Sequence, residues 1–245
     1  MSENIIEVNG LTKRFGAFTA VDNLNFNVSA GEIFGFLGAN GAGKTTAMKM
    51  LSGLLTPTSG KASVVGYDVY KQSESIKKNI GYMSQRFSLY EDMTVIENIK
   101  LFGSIYGLQK QILNEKTAIL LEQLQFTDQQ KTLVGALPLG WKQKLAFSCA
   151  MLHEPKLVFL DEPTGGVDPI TRRQFWEMIY EAAARGATMF VTTHYMDEAE
   201  YCDRVSIMVN GKIAALDTPN ELKKQFNVND MNDVFLKLAA TNAAS

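Results

Sequence analysis

Nothing limits the fold of this chain as much as eight residues, GANGAGKT, from Gly38 to Thr45. They fit the spacing GxxxxGK[ST] and lie between an apolar run, IFGFL, and a stretch of helical pattern, TAMKMLSGLL. With glycine at about 7% of average sequences, a chance match in a chain this long is on the order of one in a hundred. Context sharpens the match, because strand, glycine loop and helix follow one another in the order that lets backbone N–H groups curl inward around phosphate oxygens. The helix start adds positive potential, Lys44 adds charge for terminal phosphates, and the Thr45 hydroxyl is a magnesium ligand. Gly38, Ala39, Asn40, Gly41, Ala42, Gly43, Lys44, Thr45 and Thr46 are the candidate phosphate-binding residues.

The rest of the chain supplies a scaffold for such a loop. LNFNV sets Leu24, Phe26 and Val28 on one face, and IFGFL reads as a strand covered on both sides. TVIENIKLFGSIYG opens with Thr94 and Glu97 at capping-box spacing, and helical periodicity continues through ILNEKTAILLEQLQF. Residues from about 90 to 137 therefore read as a helical insertion. Beyond it, the runs KLVFL and TMFVTT flank a helix, ITRRQFWEMIYEAAARG, and RVSIMVNGKIAAL is a hairpin turning at Asn210 and Gly211. Alternating strands and helices predict a mainly parallel sheet flanked by helices, and the tail LAATNAAS is expected to fray.

Ligands of open parallel sheets sit beyond the carboxyl ends of the strands. Here IFGFL ends in the glycine loop, KLVFL in Asp161 and Glu162, and TMFVTT in His194. Asp161 is placed to hold Mg²⁺ directly or through water, Glu162 to orient and deprotonate an attacking water, and His194 to hydrogen-bond the terminal phosphate or its leaving oxygen. Composition narrows the partners. A net charge of −2 leaves no broad electrostatic footprint for nucleic acid. Cys149 and Cys202 lack metal-ligand or disulfide spacing and read as buried thiols. The N-terminus has no signal-peptide pattern, and no apolar run reaches the roughly 20 residues that span a bilayer. A membrane role is expected to come through a partner.

With these residues in place, the chain resembles the ATP-binding cassette ATPases, the nucleotide-binding subunits of ABC transporters, from about residue 5 to residue 238. The resemblance implies an α/β fold: a P-loop NTPase with an ABC-type ATPase core, an N-terminal antiparallel β subdomain and an α-helical subdomain insertion. It places a single domain at 4–238, the helical subdomain at about 88–145 and a disordered tail at 239–245. It also assigns roles. Phe15, in LTKRFGAFTAVDNLNF, stands where the family stacks an aromatic on adenine. Gln85, in IGYMSQ, stands at the position that touches Mg²⁺ and water, so that Thr45, Gln85 and Asp161 form the metal set. LVFLDEP carries the catalytic glutamate, Glu162, VTTH the switch histidine, His194, and GGVDP the D-loop Asp168.

Family members work as head-to-tail dimers, with ATP held between the glycine loop of one subunit and the signature, usually LSGGQ, of the other. Here the aligned residues are Leu137, Pro138, Leu139, Gly140 and Trp141, and three of the five depart from the usual pattern. Pro138 removes a hydroxyl donor, Leu139 adds bulk, and Trp141 either packs within its own subdomain or stacks on the partner's nucleotide. The run LPLGWKQKL resembles a subgroup paired with ABC-2 type export permeases. The expected ligands are ATP and Mg²⁺. The expected partners are a membrane permease, met near Gln85 and Phe87, and a second ATPase subunit, as a homodimer on the cytoplasmic face. No nucleic acid is expected. Two alternatives are a soluble ATPase of the same family acting on ribosomes or DNA, and a regulatory nucleotide-binding module with weak hydrolysis. The first usually carries a second cassette, a coiled-coil insertion or basic extensions, none of which appears, and Glu162 and His194 speak against the second.

Overall fold

A computed structural model of the chain describes residues 3–85 and 89–243. Among the described residues the strands form two sheets. The first is antiparallel, in the order β2–β1–β4–β5, built from β1 (Asn4–Phe15), β2 (Phe18–Ser29), β4 (Ser59–Val64) and β5 (Tyr67–Asp68). The second runs β10–β9–β3–β8–β7–β6, from β3 (Ile33–Gly38), β6 (Ile80–Met83), β7 (Leu157–Asp161), β8 (Thr188–Thr193), β9 (Arg204–Val209) and β10 (Lys212–Asp217). Its strands are parallel except β10, which returns antiparallel to β9 through the turn at Asn210 and Gly211. The helices are α1 (Lys44–Leu51), α2 (Ser73–Asn79), α3 (Val95–Ile105), α4 (Lys110–Gln123), α5 (Leu139–Met151), α6 (Pro169–Ala184), α7 (Pro219–Phe226) and α8 (Met231–Ala243).

Period-two alternation in the second sheet divides the core into two. Phe34 and Phe36 of β3, Phe159 of β7 and Phe190 of β8 point toward the antiparallel sheet, where Phe26 of β2 joins them with ring centroids 5.2 to 6.4 Å apart. Ile33, Leu37, Val158, Leu160, Met189 and Val191 point the other way, into a core shared with α5 and α6. Burying each such side chain contributes about 1.5–3 kcal/mol. Since both faces are covered, the inner strands are dominated by apolar runs such as IFGFL.

The helical insertion is stapled at its start. The Thr94 side chain accepts from the Glu97 N–H at 3.4 Å while the Glu97 carboxylate accepts from the Thr94 N–H at 2.8 Å, the capping box read from the sequence. Fully buried Asn98 accepts the Tyr90 N–H at 2.8 Å and donates to the Tyr90 carbonyl at 3.0 Å, fixing the start of the insertion to α3. Two helices close the core on the far side of the second sheet. The apolar residues of α5 through Ala150 pack into it, and α8 adds Val234 and Leu238, both buried there.

Candidate functional site

The carboxyl ends of β3, β8, β7 and β6 lie side by side on one edge of the sheet, so the glycine loop, His194, Asp161 with Glu162, and Gln85 follow one another in that spatial order. The loop can form only with glycine at its ends. Gly43 has φ 104°, and a Cβ there would lie 2.5 Å from the Ala20 carbonyl oxygen; at Gly38 it would lie 2.6 Å from that of Met208. The loop is also sewn to both sheets, since the Gly211 N–H donates to the Ala42 carbonyl at 3.0 Å and the Asp22 N–H to the Gly211 carbonyl at 2.8 Å.

Three of the expected side chains meet at the carboxylate of a fourth, Glu162. Glu162 lies within 3.5 Å of Lys44 Nζ through Oε1, and its Oε2 accepts from Gln85 Nε2 at 2.9 Å and faces His194 Nδ1 at 3.1 Å. Glu162 takes a left-handed backbone, φ 50°, a conformation uncommon for residues other than glycine and enriched at functional sites. Its N–H is held by Thr192, through the carbonyl at 3.0 Å and the hydroxyl at 3.1 Å. A cavity of about 260 Å³ opens beside this carboxylate, lined by Gln85, Gln143, Gly165, His194 and Tyr195 as well as Glu162. A larger groove of about 870 Å³, between α4, α5 and α6, lies away from all of these groups.

Burial governs the electrostatics. Lys44 is 4% exposed and donates to the Gly38 and Ala39 carbonyls at 2.7 and 3.2 Å. Burial pushes its pKa down, and the Glu162 charge pulls it back. Asp161 is pushed above the usual carboxylate range by burial, while the Thr192 hydroxyl, donating at 2.7 Å, opposes the rise. Thr45 Oγ1 also donates to Asp161, at 3.3 Å, so a hydroxyl and a carboxylate stand together at the loop. Such an oxygen pair suits a hard divalent cation carried on phosphates, and the Gln85 amide stands by the neighbouring residue, 2.9 Å from the Glu162 carboxylate.

The remaining expected residues are elsewhere. Phe15 is half exposed at the tip of the β1–β2 hairpin, with Lys13 Nζ 5.1 Å from its ring centroid. Asp168 caps α6, accepting from the Ile170 and Thr171 N–H groups at 3.0 Å each. Leu137 is buried, and Pro138 is the N-cap of α5, its carbonyl accepting from the Trp141 and Lys142 N–H groups at 3.0 and 3.1 Å. Leu139 and Gly140 thus contribute the first N–H groups of the helix, which lack intrahelical acceptors. Trp141 packs on Phe126 at 4.9 Å, within its own subdomain. No hydrogen bond or ion pair among the described residues joins 137–141 to the glycine loop. Phe87 lies outside the described residues.

Thr192 escaped the sequence reading. Its signal was a hydroxyl in a strand with no exposed position, since a buried polar group must find a partner.

Fold and site together define a P-loop nucleotide-binding module whose strand ends converge on a lysine, two carboxylates and a histidine. Residues 21–165 match the family model described as ABC transporter, and the chain belongs to that family. It is 48% identical over 242 residues to "Probable multidrug ABC transporter ATP-binding protein YbhF" of Escherichia coli (strain K12), covering 96% of this chain and 42% of that protein. The chain thus spans less than half the length of that relative. It is 39% identical to "Nod factor export ATP-binding protein I" of Rhizobium sp. (strain N33), covering 91% of this chain and 73% of that one. A solved structure, "Structure of ATP binding subunit of ABC transporter", superposes with a TM-score of 0.86 at 30% identity, over 96% of this chain and 99% of the other.

Proposed function

We propose that the chain is the ATP-binding and ATP-hydrolysing subunit of an ABC transporter, acting as a head-to-tail homodimer that energises a separate membrane permease of the ABC-2 export type. The observation that carries this reading is the Glu162 carboxylate, which gathers Lys44, Gln85 and His194 beside a cavity with room for several waters.

In this reading the glycine loop from Gly38 to Thr46 wraps the phosphates, Lys44 moves from loop carbonyls to the terminal phosphates, and Phe15 stacks on adenine. Glu162 takes a proton from a water held in the cavity as that water attacks the γ-phosphorus and the bond from phosphorus to the bridging oxygen breaks, giving ADP and inorganic phosphate. Gln85 holds the carboxylate from one side, and His194 from the other while contacting the γ-phosphate. Thr45, Gln85 and Asp161 would hold Mg²⁺, which when bound neutralises charge building on the phosphate oxygens. Of the signature residues Leu137, Pro138, Leu139, Gly140 and Trp141, the start of α5 at Leu139 and Gly140 faces the ATP of the second subunit and offers backbone donors and dipole potential in place of the missing hydroxyl, while buried Leu137 and Trp141, packed on Phe126, support it. Asp168 shapes the adjoining turn.

The export assignment draws support from the Rhizobium relative, which is an export protein by name. No helix among the described residues is long and apolar enough to cross a membrane, so on this reading the chain reaches the cytoplasmic face through its permease. Glu162→Gln tests the chemistry: steady-state ATP turnover is expected to fall at least about 100-fold while nucleotide binding persists. Unchanged turnover would overturn the assignment of Glu162. Affinity purification from membranes tests the partner, with a copurifying permease expected and ribosomes as the contrary result.

A further inference from the structure

A closed circuit of contacts runs around the Glu162–His194 pair. Thr164, two residues after Glu162 and 1% exposed, donates from Oγ1 to Glu198 Oε1. Glu198 is fully buried in the 3-10 turn Met196–Tyr201 that follows His194. The same carboxylate oxygen lies 3.6 Å from Arg172 Nε, and the Arg172 guanidinium carbon is 4.3 Å from the Tyr195 ring centroid. The Tyr195 ring is 4.2 Å from that of His194, whose Nδ1 returns to Glu162 Oε2 at 3.1 Å. Every link is a direct contact or a short run of chain.

A fully buried carboxylate is costly without a counter-charge. Glu198 Oε2 has no hydrogen-bond partner among the described residues, which leaves Arg172 and Thr164 to compensate through Oε1. Arg172 is itself placed by α6, its N–H donating to the Asp168 carbonyl at 3.0 Å, and it also reaches Asp197 Oδ2 at 3.3 Å. The guanidinium therefore sits where the buried charge requires it, and its carbon lies 4.3 Å from the Tyr195 ring centroid, within cation–π range. One carboxylate thus constrains both members of the pair: Glu162 through Thr164, and His194 through Arg172 and Tyr195.

We propose that Glu198 is a positioning residue that, with Arg172 and Thr164, sets the approach of His194 to Glu162. The proposal rests on the reading of Glu162 and His194 as the hydrolytic pair. Its test does not depend on turnover alone. The chain has two histidines, His153 and His194, so imidazole NMR resonances report on each separately. Glu198→Gln removes the charge and keeps the shape, and Thr164→Val removes the donor; neither alters a group that touches His194. In both variants the His194 ring signals are expected to shift while those of His153 stay in place. ATP turnover is expected to fall about tenfold with KM for ATP within about twofold. Arg172→Lys, which keeps the charge, is expected to retain more turnover than Arg172→Met. A residue needed only for folding would lower the thermal midpoint and leave His194 signals and turnover of the folded protein at wild-type values, which would overturn the proposal. If wild type hydrolysed no ATP while the His194 signals still responded to Glu198→Gln, positioning would stand and the ATPase reading would fall.

Discussion

At the scale of single residues, Thr192 determines how Asp161 and Glu162 coexist. Its hydroxyl donates to Asp161 at 2.7 Å and accepts from the Glu162 N–H at 3.1 Å, so one side chain serves both carboxylate residues. Removing it as Thr192→Val leaves a buried, charged acceptor short of a donor, at an expected cost of about 1–3 kcal/mol read by denaturant unfolding near neutral pH. The pH dependence has a definite sign. Burial raises the folded pKa of Asp161, so its contribution to stability is intact below the ordinary carboxylate value and is lost as pH rises through the folded one. The variant raises that value further. The gap between variant and wild type therefore opens with rising pH and closes in acid, and a gap that stayed constant would count against the bond.

At the scale of elements, α5 is informative at both ends. Its N-cap, Pro138, cannot supply a side-chain acceptor, whereas serine there accepts an N–H of the first turn. Pro138→Ser is expected to stabilise the fold by about 1 kcal/mol and to change ATP turnover by less than about tenfold. A larger rise in turnover would mark the native signature as a weakened site. Just past the other end, His153 stacks on Tyr106 at 3.7 Å, joining the ends of α3 and α5. Burial pushes the His153 pKa from 6.5 down to about 4, so its contribution is full above 6.5 and drains away as pH falls toward 4. His153→Phe keeps the stack and removes the titration. Allowing for the partly exposed ring, the loss of stability on going from neutral to mildly acid pH should shrink by on the order of 1 kcal/mol, as measured by chemical denaturation.

At the scale of the whole molecule, the exposed apolar side chains near the signature ask for a partner. Ile170 is 73% exposed and Leu139 40%. The two regions adjoin, since a Cβ at Gly140 would lie 2.6 Å from Thr171 Cγ2 and one at Gly166 3.6 Å from Leu139 Cδ2. If this face closes on a second copy, Ile170→Asp should abolish ATP-dependent dimerisation and lower turnover about tenfold or more, with little change in thermal midpoint. Sedimentation of Glu162→Gln with and without Ile170→Asp, in the presence of ATP and magnesium, reads the first effect directly.

Much of this protein was legible in the order of its residues. The glycine loop, the strand ends at Asp161, Glu162 and His194, and the capping box at Thr94 and Glu97 are local patterns, and local backbone physics specifies them wherever the chain carries them. Burial on both faces was readable too, because a continuous apolar run admits few other environments. Tertiary structure alone decided what depends on residues far apart in sequence. Trp141 packs on Phe126, a contact that needs the chain after α4 to fold back on the start of α5. Helix α8 is anchored by Val234 and Leu238 in a core built by other elements. The Glu198–Arg172–Thr164 cluster is the clearest case. Nothing in the spacing of its three members marks them as neighbours, yet they meet because a buried carboxylate must find its counter-charge wherever the fold brings one.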